Sequence, residues 1–271
     1  MQKKLTVQEA YDKQPKTWII VLVSLTVVIG LAIWSSSVLR FRNINPQGIQ
    51  IVIGIFNAFL NPNIDWLTRF DRVGIPMQML ETVAIAFLGT LLGAILALPF
   101  AFLSSRNITR YFSIIGIIAV TMIRTFPIFI LGLMFIKVTG PGPFAGVMTI
   151  GLASIGMMTK LYVESIEDID KGILEALDAT GATTFQKIRY GIIPQLFANF
   201  ISNTIYRFDI NIRNATVLGL VGAGGIGSTL IWALQSGRWR DAAAALIGII
   251  VVVLVIEFFS TKLRRKIVGI Q

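Results

Sequence analysis

The chain has no cysteine and no histidine among its 271 residues. Without cysteine there is no disulfide framework and no thiolate metal site. Without histidine the commonest metal ligand and general base is missing, which excludes a Ser-His-Asp triad and an H-E-x-x-H zinc site. No G-x-x-x-x-G-K-[ST] run occurs, so the chain has no P-loop with which to hydrolyse ATP. Charge is scarce as well: 14% of the residues are charged, against roughly 25% in a typical soluble domain. Acid is scarcest, with 14 Asp and Glu against 24 Lys and Arg.

What is there is mostly apolar: 55% hydrophobic residues and a mean hydropathy of +0.76. A helix needs about 20 apolar residues to cross a bilayer core. Runs of that kind occur at Thr17–Val38, Met77–Leu103, Tyr111–Val138, Phe144–Val163, Gln195–Leu220 and Asp241–Thr261. They predict an all-α, multi-pass membrane protein with six transmembrane helices. Thr17–Val38 carries Trp18 and Trp34 near its ends as interfacial anchors. It is longer than a signal-peptide core and ends in Trp34-Ser35-Ser36-Ser37-Val38, unlike an A-x-A cleavage site. Gly48–Leu60 is apolar but too short to span, which suits an interfacial or partly inserted helix. The expected division is an N-terminal tail, first helix and external connection over 1–76, a core over 77–266, and a tail over 267–271.

A net charge of +10 raises nucleic-acid binding, but the basic residues fall mainly between and beyond the apolar runs, and no basic patch is interleaved with aromatics. Their placement sets an orientation instead. With the N-terminus inside, Lys3, Lys4, Lys13, Lys16, Arg106, Arg110, Lys171, Lys187, Arg189, Lys262, Arg264, Arg265 and Lys266 are cytoplasmic. Arg40, Arg42, Arg69, Arg72, Lys137, Arg238 and Arg240 are external. The excess favours N-in and C-in, and places the polar stretch 164–194 in the cytoplasm.

Charges within spans are costly and usually face a cavity or a partner. Arg124, Lys160, Arg207 and Arg213 lie within spans, with Asp209 as the one clear carboxylate beside them. Arg124 and Arg207 each fall near the middle of their runs, about 20 Å from one end at 1.5 Å per residue. Tyr206, Asp209 and Arg213 share a helix face, and Asp209 can pair with Arg213 four residues on. Two readings stand: ion pairs that knit helices together, or a path for an anion. The sign of the excess and the fit of guanidinium to tetrahedral oxyanions favour the path. Lys160, near the inner end of its span, can simply snorkel. Gly222-Ala223-Gly224-Gly225-Ile226-Gly227 matches G-x-G-x-x-G literally, but no βαβ unit surrounds it. Close packing or a bend is the better reading of those glycines.

The stretch 164–194 has helix-forming composition and carries Glu175-Ala176 followed by Gly181, closed by Ile193-Pro194. That spacing resembles the cytoplasmic coupling motif of ABC importer permeases, a helix at about 171–190 that docks into an ATPase. Further runs narrow the resemblance to the phosphonate-type permeases: Arg124-Thr125-Phe126-Pro127, Gly142-Pro143-Phe144-Ala145-Gly146, Lys160 to Glu167, Tyr206-Arg207-Phe208-Asp209-Ile210-Asn211-Ile212-Arg213, and Val217 to Gly227. It covers residues 76–266. Two positions depart from the family pattern: Asp209 replaces a glutamate, and Gly191 replaces a bulky apolar residue, which predicts a looser exit from the coupling segment.

The resemblance implies a type I ABC importer permease in the bacterial cytoplasmic membrane. It would be a transport subunit and not an enzyme, moving phosphonate or a related phosphorus oxyanion such as phosphate or phosphite. Its partners would be a second permease, identical or related, two ATP-binding subunits that hold ATP and magnesium, and an external binding protein; the chain itself would need no cofactor and no metal. Arg124, Arg207, Asp209, Arg213, Tyr206 and Lys160 would line the substrate path. Glu175, Ala176, Asp178, Gly181 and Pro194 would couple to the ATPase. The alternatives are a permease for another small anion or nutrient, or a secondary transporter, which would call for internal repeats that are not visible here.

Overall fold

The computed structural model describes residues 17–36 and 46–269. The basic residues Lys3, Lys4, Lys13, Lys16, Arg40 and Arg42, and the last two residues of the first apolar run, lie outside the described residues. Helices and their connections account for everything described, with no strand. The chain divides into two units, residues 1–53 and 54–271. In the first, α1 (Thr17–Ser36) is apolar and exposed along its whole length. Helix α2 (Pro46–Leu60) crosses the division and is too short to span.

The second unit continues with α3 (Ile64–Thr68), α4 (Ile75–Ser104), α5 (Arg106–Thr109), α6 (Ser113–Thr125), α7 (Ile128–Thr139) and α8 (Pro143–Glu167). After these come α9 (Lys171–Ala179), α10 (Thr184–Gln186), a π turn over Lys187–Ile192, α11 (Ile193–Gly219), α12 (Ile226–Gln235) and α13 (Trp239–Val268). Among the described residues, α1, α4, α8 and α13 are long and apolar enough to cross a membrane. The expected span at Tyr111–Val138 is not one rod. It is α6 and α7, bent by 81° at their junction. Pro127 causes the break: it has no N–H to give the helix and its ring pushes the preceding residue out of the helical region, and Phe126 is extended at φ −75°, ψ 119°. The expected span at Gln195–Leu220 is the 27-residue α11, about 40 Å long, but its charged residues and its asparagines Asn199, Asn203, Asn211 and Asn214 lower its hydropathy and keep it off the apolar set.

Helices α4 and α8 form the centre. Their contact is a row of small residues that lets the backbones approach, the common device where lipid offers no hydrophobic drive between helices. A Cβ on Gly89 would sit 2.7 Å from Ile150 Cβ, and one on Gly93 2.6 Å from Ser154 Cβ. Helix α11 lies across both. At one end the Tyr162 ring of α8 packs tilted against Phe200 of α11 and its hydroxyl shares a 2.8 Å hydrogen bond with Thr204. In the middle Ile85, Ala86, Ile150, Ile212 and Leu218 are buried together.

The glycine-rich segment is the turn between α11 and α12, with Gly222, Gly224 and Gly225 at φ +95°, +85° and +73°. It is clamped: Gly225 N–H donates to Glu81 Oε1 at 2.8 Å and Ile226 N–H to Thr82 Oγ1 at 2.9 Å. Two residues of α4 thus cap the start of α12. The count of a single clear carboxylate within the spans therefore needs correction. Glu81 sits in α4 and Glu257 in α13.

The segment expected to be a helix over about 171–190 is instead three pieces. Asp170 caps α9 by accepting from Gly172 N–H at 2.9 Å. The helix ends at Ala179, because Gly181 turns left-handed at φ +74°. Ala182 N–H then reaches Leu177 O and Gly181 N–H reaches Asp178 O, the paired bonds of a Schellman ending. A capping box between Thr183 and Gln186 starts α10, and the π turn leads into α11, with Pro194 in its first turn. Gly191 does not loosen this exit. It is buried, and a Cβ there would lie 2.5 Å from Leu177 Cδ1, so the glycine is what lets α9 lie close to the base of α11. Restoring bulk with Gly191→Leu should cost about 1–3 kcal/mol by overpacking, read as a lower Tm of the purified subunit. Adding Leu177→Ala should recover most of it. A Tm unchanged by the single substitution would contradict this packing.

Candidate functional site

Helix α11 carries two polar rows. Arg207, Asn211 and Asn214, at i, i+4 and i+7, form one; Tyr206, Asp209 and Arg213 form the other. The first row faces α8 and the break between α6 and α7. There a cavity of about 220 Å³ is lined by Arg124, Phe126, Ala153, Met157, Arg207 and Asn214, among others. The break makes it. Had α6 run on as one rod, Arg124 would sit mid-helix; instead it stands in the last turn, beside an extended Phe126. Its stem lies across Gly156 of α8, where any Cβ would collide with Arg124 Cγ.

Arg207 is held by a seam of neutral polar groups. Its Nε donates to Ser154 Oγ at 3.4 Å. Asn211, fully buried, donates to Ser154 Oγ and to Thr90 Oγ1, both at 2.8 Å. Asn214 donates to Asn211 Oδ1 at 3.3 Å. The seam ties α4, α8 and α11 at one level. Among the described residues neither Arg124 nor Arg207 has a carboxylate within ion-pair distance. Two guanidinium groups thus share one cavity without a counter-charge, an arrangement suited to a bound anion of tetrahedral or planar oxygen geometry.

The second row behaves differently. Arg213 Nη2 lies 2.7 Å from Asp209 Oδ2, the pair that the spacing suggested. Asp209 is buried, with Oδ1 unbonded, while Arg213 is half-exposed. Tyr206 remains partly exposed, with the guanidinium of Arg264 of α13 over its ring 5.4 Å from the centre. Lys160 pairs with Glu164 on the same helix at 3.5 Å, both half-exposed. Of the six expected path residues, then, the structure gathers Arg124 and Arg207 in one cavity and leaves Asp209, Arg213, Tyr206 and Lys160 outside its lining. Sequence reasoning missed Asn214, Asn211, Ser154 and Gly156. The two asparagines were visible one and two turns beyond Arg207; Ser154 and Gly156 had no local signal, since their neighbours come from other helices.

At the other expected site, Ile173 and Leu174 of α9 pack inward against Ile192, Leu196 and their neighbours. Glu175, Ala176, Asp178 and Gly181 stay exposed. Asp178 closes on Lys187 as an ion pair. Phe185 and Tyr190 stand out from the same surface, 68% and 66% exposed.

Comparison with known proteins agrees with this architecture. The family model for the binding-protein-dependent transport system inner membrane component matches residues 89–268. The phosphite transport system permease protein PtxC of Stutzerimonas stutzeri is 35% identical over 189 residues, 69% of each chain. The phosphate-import permease protein PhnE of Mycolicibacterium smegmatis is 33% identical over 221 residues, 81% of this chain and 41% of that one. Among solved structures, an inward-facing MetNI methionine ABC transporter aligns with a TM-score of 0.61 at 21% identity, over 71% of this chain and 95% of that one. A bacterial ABC transporter that imports alginate aligns with a TM-score of 0.61 at 16% identity, over 95% and 98%. The fold is that of ABC importer permeases, and the chain belongs to the family of inner membrane components of binding-protein-dependent transport systems.

Proposed function

We propose that this chain is the permease subunit of an importer for a phosphorus oxyanion (phosphite, phosphate or a phosphonate) in the bacterial cytoplasmic membrane. The observation that carries the reading is the pair Arg124 and Arg207, which line one cavity and have no carboxylate partner among the described residues. The relatives' names supply the substrate class: phosphite and phosphate. The cations lower the barrier for a doubly charged anion inside a low-dielectric wall. They need not bind it tightly, since a permease must release what it is given. Asp209 holds Arg213 beside the path, and Tyr206 and Lys160 flank it towards the cytoplasm.

The energy comes from elsewhere. A separate ATPase, with its own ATP and magnesium, docks on the exposed face of α9 through Glu175, Ala176, Asp178 and Gly181, and Pro194 starts the helix that carries the motion inward. A second permease and an external binding protein complete the machine. The orientation is N-in and C-in, with α11 as a sixth crossing that its polar rows line for transport, and the core runs from 77 to 266. The test is reconstitution with the ATPase and an oxyanion-loaded binding protein. Phosphite, phosphate or a phosphonate should stimulate ATP hydrolysis and enter the vesicles. Stimulation by sulfate alone, or by a neutral solute, would overturn the assignment.

A further inference from the structure

The seam beside Arg207 can be resolved proton by proton. Thr90 Oγ1 lies 2.6 Å from Ala86 O. A carbonyl oxygen only accepts, so the Thr90 hydroxyl donates there and must accept from Asn211. That fixes the Asn211 amide with its NH₂ towards Thr90 and Ser154, without appeal to a chosen flip. Ser154 Oγ therefore accepts from Asn211 at 2.8 Å. It also accepts from Arg207 Nε at 3.4 Å, because a guanidinium only donates. Both lone pairs of Ser154 are used, and Ser154 is fully buried. Arg207 Nε is thereby committed to the protein.

A guanidinium offers an oxyanion either of two forks: Nε with one Nη along its side, or the two Nη groups at its end. With Nε engaged by Ser154, only the end fork remains for the cavity that Arg207 lines with Arg124. We propose that Ser154, oriented by Asn211, is the positioning residue that selects the end fork of Arg207 and so sets how the oxyanion is presented during transport. The inference rests on the oxyanion reading above but makes a separate claim about geometry. Ser154 has no freedom to drift away: a Cβ on Gly93 of α4 would lie 2.6 Å from Ser154 Cβ, so the facing helix presses it into place. Nor can lysine substitute for the arginine, since it has no Nε–H for Ser154 to hold.

The experiment is a double-mutant cycle of Ser154→Ala and Arg207→Lys in the reconstituted transporter. Two readouts are used: oxyanion uptake, and the reactivity of a single cysteine placed at Met157 on the cavity wall. The second needs no turnover. It compares modification rates by an anionic and a cationic methanethiosulfonate reagent. With Arg207 present, Ser154→Ala should cut uptake about tenfold, the size of one charge-assisted hydrogen bond, and change the anionic-to-cationic rate ratio several-fold. With Arg207→Lys, Ser154→Ala should change neither further. Equal effects of Ser154→Ala on the rate ratio in both backgrounds, or none in either, would overturn the positioning role. If the ratio couples as expected while phosphorus oxyanions are not transported by the wild type, the positioning stands and the substrate reading falls.

Discussion

Arg207→Ala should cut oxyanion uptake by on the order of a hundredfold or more, while the subunit should still insert and assemble with its ATPase. The expectation follows from where Arg207 sits. It lines the cavity shared with Arg124, and among the described residues no acid pairs with it. Removing it takes away half of the local positive potential without leaving a buried carboxylate unpaired, so the fold bears little of the loss. The affinity of the binding protein for its anion, set on another polypeptide, stays unchanged. Arg207→Lys keeps the charge and loses the fork, and should retain part of the transport. The rival account, in which these arginines only knit helices together, predicts lost assembly for Arg207→Ala; wild-type uptake in an assembled Arg207→Ala transporter would contradict the anion path itself.

The second large effect is at the coupling surface. Gly181→Trp should leave ATP hydrolysis running while transport drops to background. Two terms add. Gly181 has φ +74°, where a bulky side chain such as tryptophan's costs about 1–2 kcal/mol. Nothing lies within 4 Å of a Cβ there, so an indole would project outward from the surface beside α9, into the room a docked partner would fill. Gly181→Asn separates the terms, because asparagine tolerates the left-handed region with little bulk; it should transport at near the wild-type rate. Coupled transport by the Gly181→Trp protein would remove α9 from the docking role.

Much of this could be read from residues alone, for identifiable reasons. Long apolar runs are a one-dimensional signal, and α1, α4, α8 and α13 fall where the runs predicted. The Asp209–Arg213 pair was legible because i, i+4 neighbours on a helix must meet. The glycine at 181 was expected inside the coupling helix and instead ends it; its left-handed backbone is a turn property that helix-forming composition around it concealed. The break at Pro127 was written in the sequence yet overridden there by the apolar run on both sides. It matters most, since it moves Arg124 from the middle of a rod to the rim of a cavity. What stayed hidden were contacts between distant segments. Gly156 under Arg124, Ser154 under Arg207 and Leu177 against Gly191 each pair helices whose register no local pattern reveals. Gly191 shows the cost of arguing from size alone: a small residue suggested slack, whereas the space it leaves is filled by a neighbour from α9.

The lack of cysteine makes the decisive measurement simple, since one introduced thiol is the only one in the chain. Met157→Cys places it on the wall of the cavity between Arg124 and Arg207. In the assembled transporter, an anionic methanethiosulfonate should modify this cysteine faster than a cationic one of similar size, and turnover with a phosphorus oxyanion should slow the reaction. Equal rates for the two reagents, with no protection by the oxyanion, would mean that this cavity is not where the substrate passes.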